Sequence, residues 1–498
     1  MKPLIASMLI VAALPVLADV RLPEALSDHM VLQQNAEVTL WGWTTTAGST
    51  VDIETSWGIK AQARSDDSGE WRVKVKTPAA QTLDKGLRTE HITFSNRGEN
   101  TLQLQDILIG EVWLLAGQSN MEVMLCPVEP KGAANWYGEQ FWGEESKYSD
   151  RPGLRLLNII ETAAMTPQKD CKALFPSHLA QPKDANGLMS KAYRGWQPCS
   201  IATAPYFSAV AYYFGATLQA KLKVPVGLVT ASGGATPIET WMSLDALLTI
   251  PGYEKATTAL NRDGPAGFFN GMIAPLLPMA IKGVCWYQGE SNLGLRGKYA
   301  QLLRTLIGDW RKRFGGGDIP FYVVQLVPFG DGRDGNQAEL REAQTSALQL
   351  NKTGLVVTND LAERDNIHPK NKRDVGRRLA WQALSKTYGS KDVVADGPTF
   401  QSCELNDAKI QITFRDIGGG LVSRDGRPLT CFEVAGADGK IVSAKAVIEG
   451  DKVIVSAPNV TEPKFVYFAW GDGDTPNLMS RDGLPAAQFR AKLPKLPE

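Results

Sequence analysis

Histidine is scarce in this chain: 498 residues hold four, His29, His91, His178 and His368. Any reaction needing a general base near neutral pH therefore has few candidates. Closely spaced metal ligands are missing as well. The six cysteines, Cys126, Cys171, Cys199, Cys285, Cys403 and Cys431, include no CxxC pair and no Cys/His cluster, so nothing reads as a zinc site. Excess charge is absent, with 53 Lys plus Arg against 53 Asp plus Glu. That balance gives no basic stripe for nucleic acid and no cationic face for an anionic membrane. Beyond the N-terminus no apolar run reaches the ~20 residues needed to span a bilayer. Internal repeats and low-complexity tracts are also lacking, which excludes solenoids.

What is present is ordinary globular composition, 43% hydrophobic and 21% charged. The length suits two to four domains at ~150 residues each. Lys2, the apolar stretch Leu4 to Leu17, and Val16-Leu17-Ala18 before Asp19 have the pattern of a secretory signal with a small-residue cleavage site. Pro15 interrupts the run, so we set residues 1–18 aside and expect a secreted or periplasmic protein with no membrane insertion after cleavage. An even number of cysteines allows disulfides in such a compartment, with Cys403–Cys431 and Cys171–Cys199 as candidate pairs and Cys285 as a buried thiol.

Residues 19–106 alternate polar and apolar positions, as in Val38-Thr39-Leu40-Trp41-Gly42-Trp43, which predicts a β-sandwich-like N-terminal domain. From 107 to 391 buried apolar strands alternate with helical stretches, predicting an α/β domain with a parallel sheet. The candidate strands are Ile107 to Leu115, Val226 to Thr230, Ile281 to Tyr287, Phe321 to Val327 and Leu355 to Thr358. Tyr299, Leu302, Leu303, Leu306, Ile307 and Trp310 recur on one face of a helix. Residues 126–199 have no clear period and read as an insertion, while strand-like runs return over 392–498 in a C-terminal β domain.

In open α/β sheets ligands bind beyond the carboxyl ends of the strands, and three loops stand there. In Gly117-Gln118-Ser119-Asn120-Met121 a serine sits on a sharp turn with its hydroxyl exposed and its N–H available. No Gly-x-Ser-x-Gly elbow surrounds Ser119, which disfavours a lipase or peptidase. In Ser232-Gly233-Gly234-Ala235-Thr236 paired glycines let a backbone amide approach a ligand. In Trp286-Tyr287-Gln288-Gly289-Glu290-Ser291-Asn292 the Gln288 amide is a further candidate oxyanion donor and Glu290 a candidate support. Each loop alone is also an ordinary turn or helix cap. Among the histidines, His29 and His91 lie in the N-terminal β region and His178 in the insertion, whereas His368 follows a strand. Asp365 precedes it by three residues, close enough to hold the imidazole.

These blocks, in this order, resemble the sialate O-acetylesterase family of the SGNH hydrolase superfamily. The flanks resemble it too: Met30-Val31-Leu32-Gln33, Phe207-Ser208-Ala209-Val210-Ala211-Tyr212, Asn270-Gly271-Met272-Ile273, Ile367-His368-Pro369 and Gly483-Leu484-Pro485-Ala486. The resemblance implies a flavodoxin-like catalytic domain flanked by β domains, acyl transfer without metal or cofactor, and an O-acetylated sugar or glycan as substrate. It implies Ser119 as nucleophile, His368 as base, and Ser119, Gly234 and Gln288 as the oxyanion hole, with Glu290 and Asn270 in support. Asp365 is the candidate third member, with Asp360 and Glu363 as rivals and a Ser-His dyad as the alternative. A sialate substrate is expected first and acetylated xylan or another plant glycan second; Trp-rich β domains leave a non-catalytic carbohydrate-binding protein as the rival from another class.

Overall fold

The computed structural model describes residues 19–96, 99–126, 142–174, 194–330, 332, 336–363, 365–406, 409–460 and 462–494. The expected signal segment and His178 lie outside them. In the N-terminal part, β1 (Val20–Arg21), β3 (Glu37–Thr44) and β6 (Glu70–Lys76) form one antiparallel sheet, while β2 (Val31–Gln33), β4 (Thr50–Thr55), β5 (Lys60–Arg64) and β7 (Glu90–Asn96) join a larger one. Val38 and Leu40 are buried and Glu37 is exposed, the alternation of a strand with one face on a core.

The 19-residue strand β8 (Glu99–Gly117) runs straight through the expected boundary at 106. Its first half pairs antiparallel with β7 and its second half parallel with the catalytic strands. The register against β7 shifts between Glu90 and Ile92, and Asp106 takes φ +53°, so the strand bends where its partners change. The Asp106 carboxylate binds the buried Arg155 guanidinium through both oxygens, at 2.6 and 3.0 Å, and His29 Nδ1 at 2.7 Å.

After α1 (Ser119–Glu122) and α2 (Trp142–Glu145) come β9 (Arg151–Ile159), β10 (Gln197–Cys199), α3 (Ala209–Leu222), β11 (Val226–Ser232), α4 (Leu244–Leu247), β12 (Gly283–Tyr287), α5 (Arg296–Phe314), β13 (Phe321–Val324), α6 (Asn336–Thr345), β14 (Thr353–Val356) and α7 (Lys372–Lys386). The order across this part of the mixed sheet is β10-β9-β11-β8-β12-β13-β14, and every neighbour except β10 pairs parallel. Trp113, Leu115, Leu228 and Tyr287 pack under α3 and α7, while Val112, Leu114, Val229 and Trp286 pack on the opposite face with α5. Both faces are covered, which is why these strands read as continuous apolar runs. The six predicted core residues of α5 are all fully buried.

Two expectations are corrected. The segment read as insertion contains β9, a central sheet strand whose Leu154, Leu156, Leu157 and Ile159 are buried; the surrounding Pro, Gly and Lys hid it. The candidate Cys403–Cys431 and Cys171–Cys199 disulfides are not formed. Cys171 and Cys199 sit in separate clusters on opposite faces of the sheet, and the Cys199 thiol donates to Ser149 O at 3.3 Å.

The rest of the chain forms β-rich sheets around a third core that includes Ile412, Val434, Val453, Val466 and Phe468. One sheet holds β15 (Thr399–Asn406), β16 (Lys409–Arg415), β20 (Lys445–Glu449) and β21 (Lys452–Ser456). A second holds β18 (Phe432–Ala435), β19 (Ile441–Ser443), β22 (Phe465–Phe468) and β24 (Phe489–Lys492), and β17 (Leu421–Ser423) pairs with β23 (Leu478–Ser480). No helix among the described residues is long and apolar enough to cross a membrane.

Candidate active site

Strand β8 ends at Gly117, φ +148°, where a Cβ would stand 2.1 Å from Tyr287 O. Only glycine fits that turn. The next residue, Gln118, donates its N–H to Tyr287 O at 3.0 Å and accepts Gly289 N–H on its side-chain oxygen at 3.1 Å, tying the first loop to the third. Ser119 then opens α1, a position whose N–H has no acceptor within the helix. Its hydroxyl lies 2.8 Å from His368 Nε2. His368 arrives on the loop between β14 and α7, where Asn371 caps α7 by accepting Asp374 N–H at 3.1 Å.

Asp365 is not the partner of this histidine. Glu363 and Asn366 close a tight turn, with Asn366 N–H on Glu363 O at 3.0 Å, and Asp365 occupies its outer corner, exposed. No described hydrogen bond joins it to the imidazole. The rivals are committed as well. Asp360 binds Arg378 through both oxygens at 2.7 and 2.6 Å, and the Glu363 carboxylate accepts from Asn366 Nδ2 at 3.1 Å and Lys370 N at 2.6 Å. The loop itself sets the imidazole: His368 N–H donates to Asn366 Oδ1 at 2.9 Å. Burial first, then the neighbouring Lys372 cation, holds the imidazole down to about 4, so it is neutral at pH 7 with a lone pair to take a proton.

Gly234 lies where the second loop passes the nucleophile. A Cβ there would be 3.6 Å from Ser119 Cβ and 3.3 Å from Glu122 Oε2. The Glu122 carboxyl beside it is pushed up to about 7 by burial and the like charge of Glu161, against the opposing pull of Arg262 and the Gly234 amide. Glu161 is itself paired with Arg262.

Gln288 is close by but faces elsewhere, which corrects its assignment as an oxyanion donor. Its Nε2 spends both hydrogens, on Thr236 O at 3.0 Å and Asn292 Oδ1 at 2.7 Å, and its Oε1 accepts from Tyr299 OH at 2.8 Å. Fully buried, it supports the Gly234 loop from beneath. Asn270 pins the 164–168 segment, with Nδ2 on Ala164 O at 3.1 Å and its carbonyl on Gln168 N–H at 2.9 Å, and no described hydrogen bond joins it to Ser119.

Glu290 meets the serine loop through Asn120. Asn120 Nδ2 donates to Glu290 Oε1 at 2.7 Å and to Ile367 O at 3.1 Å, and its Oδ1 accepts from Lys372 Nζ at 2.7 Å. Desolvation raises the Glu290 carboxyl above its ordinary value. Lys372 and Glu122 were not among the residues singled out from sequence. Lys372 carried a faint signal, a cation in the first turn of a capped helix, where the helix dipole disfavours it. Glu122 carried only its spacing, one turn after Ser119. Among the described residues no group of three or more His, Cys, Asp or Glu is arranged to hold a metal.

The family model described as carbohydrate esterase, sialic acid-specific acetylesterase matches residues 202–385. Human sialate O-acetylesterase is 29% identical over 431 residues, covering 77% of this chain and 74% of that protein; the mouse protein is 27% identical over 467 residues, covering 80% of each. The crystal structure of a carbohydrate acetylesterase from Xanthomonas citri superposes with a TM-score of 0.81 at 31% identity, over 95% of this chain and 99% of that one. With its strand-end serine and histidine, the chain is a carboxylic ester hydrolase acting in carbohydrate chemistry. It belongs to the sialate O-acetylesterase family of carbohydrate esterases.

Proposed function

We propose that this protein is an exported enzyme that removes O-acetyl groups from sugars through an acetyl-enzyme on Ser119. The observation that carries the reading is the 2.8 Å contact between His368 Nε2 and Ser119 Oγ at the strand ends. His368 takes the hydroxyl proton as Oγ attacks the acetyl carbonyl carbon. The Ser119 and Gly234 N–H groups hold the oxyanion. The ester C–O bond then breaks, and His368 returns the proton to the departing sugar oxygen. Water, deprotonated by His368, attacks the acetyl-enzyme and releases acetate. The fold reading that accompanies this is a flavodoxin-like SGNH domain with flanking β domains, and export follows from the leader pattern of residues 1–18.

The names of the family and its relatives favour a sialate as substrate. A neutral acetylated glycan is the second reading, because Arg194 is paired with Glu24, Arg296 with Glu339 and Arg341 buried against Gln488, and Arg262, the arginine beside Gly234, is paired with Glu161. The test is acetate release by wild type and Ser119→Ala on O-acetylated sialic acid and acetylated xylan. Loss of release in the variant supports the mechanism, and retention of most of it overturns the assignment; the preferred substrate chooses between the readings.

A further inference from the structure

Glu161 and Arg262 stand beside the proposed ester site, and the reaction as written gives neither a role. A Cβ on Gly233 would meet Glu161 Oε1 at 2.6 Å, which lays that carboxyl against the backbone next to the proposed oxyanion donor. A Cβ on Gly234 would have Ser119 Cβ at 3.6 Å, Glu122 Oε2 at 3.3 Å and Arg262 Nη2 at 4.0 Å, so only the width of a side chain separates the guanidinium from the nucleophile. Glu161 comes from the segment after β9 and Arg262 from the segment after α4, and the two form a hydrogen-bonded ion pair. Their side chains are 18% and 52% exposed, so the pair meets solvent beside the serine that a sugar ester has to reach.

We propose that Glu161 is a specificity-determining residue: by occupying the Arg262 guanidinium it makes the site select acetyl esters of neutral sugars over those of sugars that carry a carboxylate. The inference rests on Ser119 and Gly234 acting as proposed above, and it deepens the neutral-glycan reading. A substrate carboxylate has two routes to Arg262. It can displace Glu161, which leaves that carboxylate part-buried without its cation, or it can share the guanidinium, which sets two like charges side by side. Glu122 adds a second carboxyl at the same loop. Neutral hydroxyls meet no such penalty, because a carboxylate accepts their O–H groups and a guanidinium donates to their oxygens. One charge more or less at this range changes kcat/KM for an anionic substrate by about 10-fold at low ionic strength, and by less once salt screens it.

The test uses a matched pair of substrates, O-acetylated N-acetylneuraminic acid and its carboxyl methyl ester, which differ by a single negative charge. Acetate release gives kcat/KM for each at neutral pH and low ionic strength, with wild type, Glu161→Gln, Arg262→Gln and Ser119→Ala. The acid-to-methyl-ester ratio within one protein cancels any change in folded fraction or in the acyl chemistry. Wild type is expected to prefer the methyl ester. Glu161→Gln raises the ratio by about 10-fold, Arg262→Gln lowers it, and about 0.5 M NaCl shrinks both displacements. A wild type that prefers the free acid, or variants that leave the ratio unmoved or move it in the same direction, overturn the proposal. Release by Ser119→Ala overturns the underlying mechanism instead. Arg262 is the more exposed of the two, and its variant reads the effect with the opposite sign if Glu161→Gln fails to fold.

Discussion

Lys372 Nζ donates to Asn120 Oδ1 at 2.7 Å, placing a fully buried ammonium against the residue next to the nucleophile. The same ammonium donates to Pro369 O at 2.6 Å, and the other end of Asn120 holds Ile367 O. One amide side chain thus grips the backbone of the residue before His368 and, through Lys372, that of the residue after it. The Ser119–His368 distance is therefore a property of Asn120 as much as of the pair itself.

Asn120→Ala should consequently lower kcat by about 10- to 100-fold with KM little changed, because a small displacement of the base spoils alignment while leaving substrate contacts in place. It also takes one partner each from the buried Lys372 ammonium and the Glu290 carboxyl, at a cost of about 1–3 kcal/mol. Steady-state kinetics together with urea unfolding read both effects. Normal kcat in a destabilised variant would separate the two and remove Asn120 from alignment.

The pH profile should show an acid limb near 4, well below that of an ordinary histidine, because a protonated His368 cannot accept the serine proton and its imidazole is held down by burial and by Lys372. Lys372→Met removes the nearby cation, so the imidazolium becomes less unfavourable and the limb moves to higher pH, by up to about one pH unit. Burial, the larger cause, stays. Measuring kcat/KM from about pH 3.5 to pH 7 for both proteins checks the direction; a limb that moves down, or not at all, sinks the argument.

The residues that were legible in the sequence are those whose type and position carry the signal. Ser119 sits after a strand on a glycine turn, His368 is the one histidine in the right part of the chain, and α5 shows an uninterrupted 3.6-residue period. What stayed hidden depends on direction. Asp365 has the right spacing from His368, but a turn closed by Glu363 and Asn366 points it outward, and spacing along the chain cannot express which side of a turn a residue occupies. Gln288 is at the right strand end, yet its amide looks down into Thr236 and Asn292. Strand β9 was lost because its neighbours dilute the apolar run, and its membership of the sheet is decided by pairing with β11, far along the chain.

Asp365→Asn should therefore keep kcat/KM within about twofold of wild type, as an exposed residue outside the site does. Glu363→Gln should cost more, because it weakens the grip on Lys370 N and Asn366 Nδ2 that shapes the histidine loop. Parallel kinetics on one acetyl ester decide it: a loss of about 10⁴-fold in Asp365→Asn, the size seen when a true triad carboxylate is neutralised, would restore Asp365 to the mechanism.

Gln288→Met separates support from chemistry. An oxyanion donor removed cleanly costs about 10²–10³ in kcat with the fold intact. A buried amide that satisfies Thr236 O, Asn292 Oδ1 and Tyr299 OH costs stability first, about 1–3 kcal/mol, because Thr236 O loses this donor and Asn292 and Tyr299 each lose a bond. Asn292 belongs to the same network through Ile238 N and Glu239, so Asn292→Ala and Gln288→Met should be non-additive, the double variant being more stable than the sum of the single losses implies. Urea unfolding of the four proteins in that cycle measures the coupling. Additive losses in stability, or a collapse of kcat in Gln288→Met with unfolding unchanged, would return Gln288 to the oxyanion hole and take the support of the Gly234 loop away from it.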